Sequence, residues 1–417
     1  MHRQAAQAPA SMPHSTSAGL GLSKSLSHSL IAGLIASDER PLRIMLVVEA
    51  SAGGTGRHVL DLADGFVQRG HNVHMMHSTV RIDWLFQERL AQIDGLSCLA
   101  LPMRMSPHPA DFRTVRAIRR YAAEHGPFDI VHGHSSKGGA LARIISFGTG
   151  AHAFYTAHGL NSMDPGLAWW KRGTYISIER TLSKYTQGII AVSPEEARSA
   201  AAIGLSHARI FTIPNGINHL AVAPRTAARH AIGVSDRELV IGFVGRLVEQ
   251  KAPEVLLKAF AAAASSVSNA RLAIVGDGPL RASLVNLSDR LGIGEKIIWL
   301  GERDAREILT GFDLFALSSR KEGLPYVILE AMYVGLPIVA TSSSGVEILV
   351  EPGVNGTVVP PDDAPSFGDA LIHLLQNPKL LASFGVASKR LVGRFTVDEM
   401  VEKTLRAYRS GLVKSRG

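Results

Sequence analysis

Short apolar runs alternate with amphipathic segments along most of the chain, beginning at residue 43. The run Arg43–Val48 holds consecutive apolar residues after its first position, which indicates a strand buried on both faces. The next segment has apolar residues at Val59, Leu62 and Phe66, the spacing of one helical face. This alternation predicts parallel sheets built from strand–helix–strand units. Further predicted strands are 71–77, 96–101, 129–132, 188–192, 210–213, 239–244, 272–275, 297–300, 312–317 and 337–341; predicted helices include 84–92, 112–123, 326–334 and 396–412.

The chain has 417 residues, too many for one ordinary hydrophobic core, so two domains are expected. The segment Ala221–Arg229, rich in Ala, Arg and Pro, is interpreted as the linker between them. Residues 1–40 are dominated by Ser, Ala, His and Gly, and we expect a disordered or weakly membrane-touching tail with at most one weak amphipathic helix over Leu20–Ala36. The apolar segment Leu30–Ile35 is too short, and its charged start too weak, for a signal peptide.

The stretch Ala316–Leu349 carries the most specific chemistry. Glu322 falls in a loop before the helix predicted over Tyr326–Val334, and Glu330 falls more than one turn inside that helix. Free backbone amides at the helix start, from Gly323 and Leu324 onward, make an anion site suited to a diphosphate.

A carboxylate such as Glu330 can accept from two vicinal hydroxyls, as on a ribose, and Glu322 could reach hydroxyls of a transferred sugar. The alternative is that both glutamates are solvated surface charges, and their spacing alone would favour that alternative. The surrounding pattern, Ser-Ser-x-x-Glu-Gly-Leu-Pro-x-x-x-x-Glu-Ala-Met-x-x-Gly-x-Pro-Ile-Val-Ala, reverses the balance.

This stretch resembles glycosyltransferase family 4, a group of retaining GT-B enzymes, and the resemblance runs from about Leu42 to the C-terminus. It implies two Rossmann-like, doubly wound parallel-sheet domains that face a central cleft. The implied division is an N-terminal tail (1–40), an acceptor-side domain (41–219), a nucleotide-sugar-binding domain (220–394) and a C-terminal helix that crosses back to the first domain (395–417). The implied reaction is transfer of a sugar from a nucleotide diphosphate donor to an acceptor hydroxyl with retention, and no metal or other cofactor is expected.

Three further segments resemble family elements. Arg246 and Lys251 match Gly-Arg-Leu-x-x-x-Lys-Gly, with Ala252 in place of the last glycine, and two cations beside a helix start would neutralise a diphosphate. An exposed Arg–Lys pair is the alternative. His158 stands in a Thr-x-His-Gly turn after a strand, where the family's histidine contacts the donor sugar; a satisfied polar residue is the alternative. Glu347 follows Ser344-Gly345 and is expected to bond the nucleotide or its loop.

Two elements of the first half have a weaker pattern. The loop Gly53-Gly54-Thr-Gly56 lacks the dinucleotide spacing but resembles the family's first loop, so Gly54 is expected to contact donor phosphate or acceptor; a tight strand–helix turn is the alternative. His132 and His134 share one face of a strand, which makes a metal conceivable. No third ligand has a convincing spacing, and we expect structural or cleft-lining roles.

The net charge of +8 favours anionic partners: a sugar nucleotide, a phospholipid surface or nucleic acid. Most of the excess lies in the first half, where four arginines recur at helical spacing: Arg113, Arg116, Arg119 and Arg120. They form either a solvated face or a surface for an anionic membrane. Trp169 and Trp170 with the two cations after them suit a membrane interface, a sugar-stacking acceptor site or packing under a loop.

Composition also limits the setting. The single cysteine, Cys98, excludes an internal disulfide and a cysteine-based zinc site, which fits a reducing compartment. No apolar run approaches the roughly 20 residues of a membrane-spanning helix. We therefore expect a cytoplasmic enzyme, either free or peripheral on the inner face of the cell membrane.

The acceptor is expected to be a glycan or lipid-linked intermediate of exopolysaccharide, capsule or lipopolysaccharide assembly, and the donor a UDP- or GDP-sugar. Three alternatives stay open: a transferase with a soluble acceptor of the sucrose or trehalose type, a sugar-nucleotide epimerase of the same fold, and a non-catalytic nucleic-acid binder. The intact donor motifs argue against nucleic acid as a partner.

Overall fold

The computed structural model describes residues 40–160, 168–205 and 209–413, so the predicted tail lies outside the described residues except for Arg40. The strands in these ranges are β1 (Arg43–Val48), β2 (Asn72–Ser78), β3 (Ser97–Leu101), β4 (Ile130–His134), β5 (His152–Thr156), β6 (Gly188–Ala191), β7 (Ile210–Thr212), β8 (Leu239–Val244), β9 (Ala270–Val275), β10 (Ile297–Gly301), β11 (Leu314–Leu317), β12 (Ile338–Thr341) and β13 (Gly356–Val359). The α-helices are α1 (Gly53–Gln68), α2 (Trp84–Leu90), α3 (Asp111–His125), α4 (Ser135–Ser146), α5 (Trp169–Ser183), α6 (Pro194–Ala202), α7 (Arg225–Ile232), α8 (Pro253–Ser266), α9 (Arg281–Arg290), α10 (Tyr326–Val334), α11 (Val346–Leu349), α12 (Ala364–Leu375), α13 (Pro378–Val392) and α14 (Val397–Val413).

Two parallel sheets organise the described chain. The first has the strand order β3-β2-β1-β4-β5-β6-β7 and the second β10-β9-β8-β11-β12-β13. β1 lies inside the first sheet, where Ile44 is aligned with Val73 of β2 and Ile130 of β4, and this explains its uninterrupted apolar sequence. Helices flank both sheets, so the predicted α/β class with two doubly wound parallel-sheet domains is confirmed.

The strand order reverses at one point in each sheet. In the first sheet the reversal lies between β1 and β4, and in the second between β8 and β11. Ligands of open α/β sheets bind outside the carboxyl ends of the strands at such reversals. The loops after these four strands are therefore where a site is expected from topology alone.

The last helix packs against the first sheet's helices and strands. A Cβ placed on Gly65 of α1 would lie 2.5 Å from Val401 Cγ2, so α1 and α14 are in close contact. Tyr408 is fully buried, and its hydroxyl lies 2.6 Å from His132 Nδ1 at the centre of the first sheet. The C-terminal segment thus belongs to the hydrophobic core of the first half.

Two local elements were not predicted. The predicted linker Ala221–Arg229 runs into α7, which begins at Arg225, because a proline at the N-cap and the apolar positions after it favour a helix. β13 begins at Gly356, directly after a turn that ends at Asn355, and it pairs with β12. In the described ranges no helix is long and apolar enough to cross a membrane.

Candidate active site

Lys251 and Glu322 form an ion pair at the strand-order reversal of the second sheet. Lys251 ends a short 3-10 helix after β8, Glu322 lies in the loop after β11, and Lys251 Nζ is 2.6 Å from Glu322 Oε1. The Glu322 side chain is only 8% exposed, so its charge depends on this partner. Ala252, which stands where the family pattern has glycine, has a left-handed φ of +44°.

The start of α10 meets the first half of the chain directly. A Cβ on Gly323 would lie 3.4 Å from the backbone carbon and oxygen of His158, and one on Gly345 would lie 2.3 Å from Gly323 O. The carbonyl of Leu324 accepts a hydrogen bond of 2.9 Å from Asn215 Nδ2. The backbone of Gly323 and Leu324 is therefore held between the two halves.

Glu330 lies on α10 and accepts a hydrogen bond from Arg57 Nη1 of α1. The guanidinium of Arg57 also lies 4.7 Å from the ring centre of Tyr326 and near Asp61. The carboxylate assigned to the ribose is thus paired with a cation from the opposite half. Sequence reasoning missed Arg57, because nothing in its local pattern shows a partner 273 residues away.

Three histidines of the first half meet at the cleft: His58 from α1, His134 at the end of β4, and His158 after β5. One ring nitrogen of each lies within 4.8 Å of those of the others. His134 Nδ1 is 3.2 Å from His158 Nε2. The sequence showed no third metal ligand at a convincing spacing from His132 and His134. The fold nevertheless brings two histidines, His58 and His158, close to His134. His132 instead bonds Tyr408 and Thr156, a structural role.

Hydrogen bonds define which ring nitrogen of His58 carries the proton. Asn215 donates through Nδ2 to Leu324 O, so its Oδ1 is the atom that faces His58 Nδ1 at 3.0 Å. An amide oxygen only accepts, so His58 carries its proton on Nδ1 and presents a lone pair on Nε2. His58 Nε2 and His134 Nε2 are buried without a hydrogen-bond partner among the described residues.

Burial keeps the three imidazoles neutral. It lowers the pKa of His58 to about 4 and the pKa values of His134 and His158 well below their ordinary value. His158 itself has φ +54°, a conformation uncommon for a residue with a side chain, and its loop is fixed by buried Glu196, which accepts from Gly159 N and Val192 N. Strain that the surroundings hold in place is typical of functional positions.

The other predicted residues lie more openly. Arg246 and Glu347 are exposed, and their side chains have no recorded hydrogen bond or ion pair within residues 40–160, 168–205 and 209–413. Gly54 is exposed at the start of α1, and a Cβ there would lie 3.4 Å from Tyr326 Cδ2 across the cleft. The structure thus places Gly323 against the backbone of His158, while Glu322, the residue before Gly323, is paired with Lys251.

Comparison with known proteins agrees with this geometry. The family described as "Glycosyltransferase Family 4" matches residues 52–219, and "Glycosyl transferases group 1" matches residues 224–391. The chain belongs to the GT-B glycosyltransferases of family 4 and is a glycosyltransferase.

Relatives and solved structures are similar over most of the chain. EpsD of Bacillus subtilis (strain 168), named as a glycosyltransferase, is 26% identical over 354 residues, 81% of this chain and 90% of the relative. The D-inositol 3-phosphate glycosyltransferase of Mycobacterium bovis (strain BCG / Pasteur 1173P2) is 27% identical over 340 residues, 76% of this chain and 68% of the relative. The crystal structure of Anabaena Alr3699/HepE in complex with UDP and glucose has a TM-score of 0.77 and 20% identity, covering 88% of this chain and 100% of that chain; it shares the fold.

Proposed function

We propose that this protein is a retaining hexosyltransferase that takes its sugar from a UDP-sugar or a GDP-sugar. The observation that carries the proposal is the Lys251–Glu322 ion pair, 2.6 Å long, next to Gly323, which itself lies against the backbone of His158. A diphosphate there meets the amides of Gly323 and Leu324 and two cations, Lys251 and Arg246. UDP is the first choice of nucleotide because the structural relative from Anabaena was solved with UDP and glucose.

The residues take separate roles on the donor. Glu330 binds the ribose hydroxyls, for which Arg57 must give up its hydrogen bond to that carboxylate. Glu322 and His158 position the transferred sugar. Glu347 contacts the nucleotide or the loop around it. Gly54 contacts the donor phosphate or the acceptor.

The bond changes need no carboxylate nucleophile. The sugar C1–O bond to the diphosphate breaks while the acceptor oxygen bonds to C1 on the same face, and the acceptor proton passes to the leaving phosphate oxygen. Lys251 and Arg246 stabilise the charge that develops on the leaving group. Because Glu322 is paired with Lys251, it acts as a hydrogen-bond acceptor from sugar hydroxyls.

The acceptor is proposed to be a lipid-linked glycan intermediate of polysaccharide assembly, reached at an anionic membrane surface. Phe112 is 75% exposed, and Trp169 and Trp170 are 84% and 56% exposed. They begin helices that follow the carboxyl ends of β3 and β5, the sheet edge on which the cleft opens. Arg113 and Arg116 are exposed beside Phe112, so apolar and cationic groups occur together.

A soluble acceptor is the second candidate. The mycobacterial relative is named for D-inositol 3-phosphate, a soluble phosphate ester, and it matches 76% of this chain. Sedimentation with vesicles separates the two: binding to phosphatidylglycerol vesicles but not phosphatidylcholine vesicles, weakened by Phe112→Ser with Trp169→Ser, favours the lipid-linked acceptor. Absence of binding to both kinds of vesicle favours the soluble one.

The donor assignment is tested by a screen of UDP-, GDP- and ADP-sugars that records thermal shift, donor hydrolysis and the anomeric configuration of any glycoside formed. We expect a UDP-sugar to raise the melting temperature and to release UDP. A new nucleotide sugar without release of the nucleotide would identify an epimerase. No response to any sugar nucleotide would contradict the proposal.

A further inference from the structure

The histidine cluster of the first half has the donor set of a transition-metal site. Its members are His58, His134 and His158, one ring nitrogen from each lying within 4.8 Å of the others. Three imidazoles suit zinc, cobalt, nickel or copper, whereas magnesium prefers oxygen ligands. In the described chain the cluster has no carboxylate member.

The hydrogen bonds of His58 leave one of its ring nitrogens with a lone pair and no partner. His58 presents an unprotonated Nε2 because its Nδ1–H is held by Asn215 Oδ1, and that Nε2 is buried with no hydrogen-bond partner among the described residues. A ligand histidine whose other nitrogen donates to an oxygen acceptor is the usual outer-shell arrangement of metal sites, because it fixes the tautomer and the ring orientation. Asn215 is in turn fixed by Leu324 O at 2.9 Å.

The distance between the ring nitrogens of His134 and His158 matches the distance between two nitrogen ligands of one tetrahedral metal ion. Two nitrogens at 2.0–2.1 Å from a tetrahedral ion lie roughly 3.3 Å apart. His134 Nδ1 and His158 Nε2 are 3.2 Å apart. A metal between them would replace the proton that now links the two rings, and each ring would coordinate through the nitrogen it already directs at the other.

We propose that His58, His134 and His158 bind one divalent transition ion of the zinc class through three imidazole nitrogens, with a fourth position open toward the cleft. His134 and His58 are buried, while His158 keeps part of its surface exposed and provides the side from which an ion enters. The site shares His158 with the proposed sugar pocket, but the proposed sugar transfer itself uses no metal.

Occupation of this site has a functional consequence, and this consequence rests on the proposed function. A metal on His158 Nε2 removes that nitrogen from the donor sugar, and it places positive charge beside the reacting carbon. The ion is therefore a reversible inhibitor of transfer that competes with the UDP-sugar, and a chelator restores activity.

Cobalt tests the site without any use of activity. We expect the full chain to bind one Co²⁺ with the visible absorption of a four-coordinate ion, and Zn²⁺ to displace it. His58→Asn keeps an amide nitrogen at the place of Nδ1, and so keeps the bond to Asn215 while removing Nε2; His158→Asn suits the left-handed backbone at that position. Each variant is expected to lose the cobalt spectrum.

Two matched controls exclude adventitious ligands. Cys98→Ser removes the single, exposed thiol, and His219→Asn removes an exposed histidine of the second half; both should keep the spectrum. A wild-type chain without the cobalt spectrum overturns the proposal, as does a spectrum that survives His58→Asn or disappears with Cys98→Ser. Since the readout is absorption, a cobalt site in a chain that ignores every sugar nucleotide would refute only the proposed function.

Discussion

The two halves of the cleft are built in different ways. The second half takes Lys251, Glu322, Gly323 and Glu330 from two short segments, each of which follows one strand. The first half takes His58, His134 and His158 from three separate strand–helix units, and Asn215 joins them from a fourth segment 157 residues beyond His58. The second half is therefore built from two local motifs, while the first half needs four separate segments to be brought together by the sheet.

The two halves of the cleft also differ in the ligands that their side chains can bind. The second half supplies fixed charge and helix amides, which suit a diphosphate. The first half supplies neutral, buried imidazoles, which suit a sugar or a metal but not a phosphate. Arg57 is the cation that links them, because it reaches from α1 to Glu330.

Glu322→Ala gives the largest expected effect. Loss of the carboxylate removes a hydrogen-bond acceptor for the sugar hydroxyls and leaves Lys251 without its ion-pair partner. We therefore expect the rate of transfer to fall by about 10²–10³-fold while the chain stays folded. Steady-state transfer with circular dichroism as the folding check measures this. Glu88→Ala, an exposed glutamate on α2, is the matched control. Transfer near the wild-type rate would remove Glu322 from the site.

Lys251→Met and Arg246→Met should differ, although both remove one cation. Lys251 holds the buried carboxylate of Glu322, so its loss should lower kcat by about 10²-fold. Arg246 is exposed and its side chain has no partner among the described residues, so its loss should mainly raise KM for the donor, by about 10-fold. Equal changes in kcat and KM for the two variants would contradict these separate roles.

One buried histidine of the first half should make the free energy of unfolding depend on pH. Burial, with smaller contributions from His125 and Arg43, lowers the pKa of His74 in the first sheet to about 4. The unfolded chain therefore takes up a proton at this residue below about pH 6.5, before the folded chain does, so stability is highest above that pH and falls as the pH drops toward 4.

Discounting for solvent screening, we expect His74 to account for about 1–2 kcal/mol of that loss. Urea unfolding at pH 7 and pH 5 measures it: His74→Phe should lose less stability than wild type, and the exposed His219→Asn should lose as much. Equal losses in wild type and His74→Phe would show that this histidine does not contribute.

Arg57→Met is expected to have the smallest effect of these substitutions, and it should strengthen binding of the donor nucleotide rather than weaken function. The ribose must displace Arg57 from Glu330, so the variant should bind UDP a few-fold more tightly, about the worth of one partly exposed ion pair. Calorimetric titration with UDP measures it, with Arg69→Met, whose partners lie on α14, as control. Weaker binding of UDP would show that Arg57 is itself a donor contact.

Sequence analysis predicted secondary structure correctly where the signal is local. The bounds Tyr326–Val334 of α10 were predicted because Pro325 and Gly335 mark both ends, and Gly335 does take the left-handed φ of +84°. β13 was missed because it has only four residues after a strong turn sequence.

The roles of the predicted site residues stay predictions, but their arrangement could be derived only in part. Lys251 and Glu322 each stand in a readable motif, and the fold of the second sheet brings their loops together. The approach of His58 to His134 follows from the positions of α1 and β4 in the first sheet, which no spacing along the chain records. The Arg57–Glu330 pair depends on how the two halves meet.

The central claim is that both halves of the cleft hold one activated sugar. The most direct measurement compares the dissociation constants of UDP and of the UDP-sugar identified by the screen, for wild type, Glu322→Gln and His158→Asn. Both variants should lose the preference for the sugar nucleotide and keep the affinity for UDP. If a variant still prefers the UDP-sugar over UDP, or loses affinity for UDP and the UDP-sugar equally, the substituted residue does not contact the sugar.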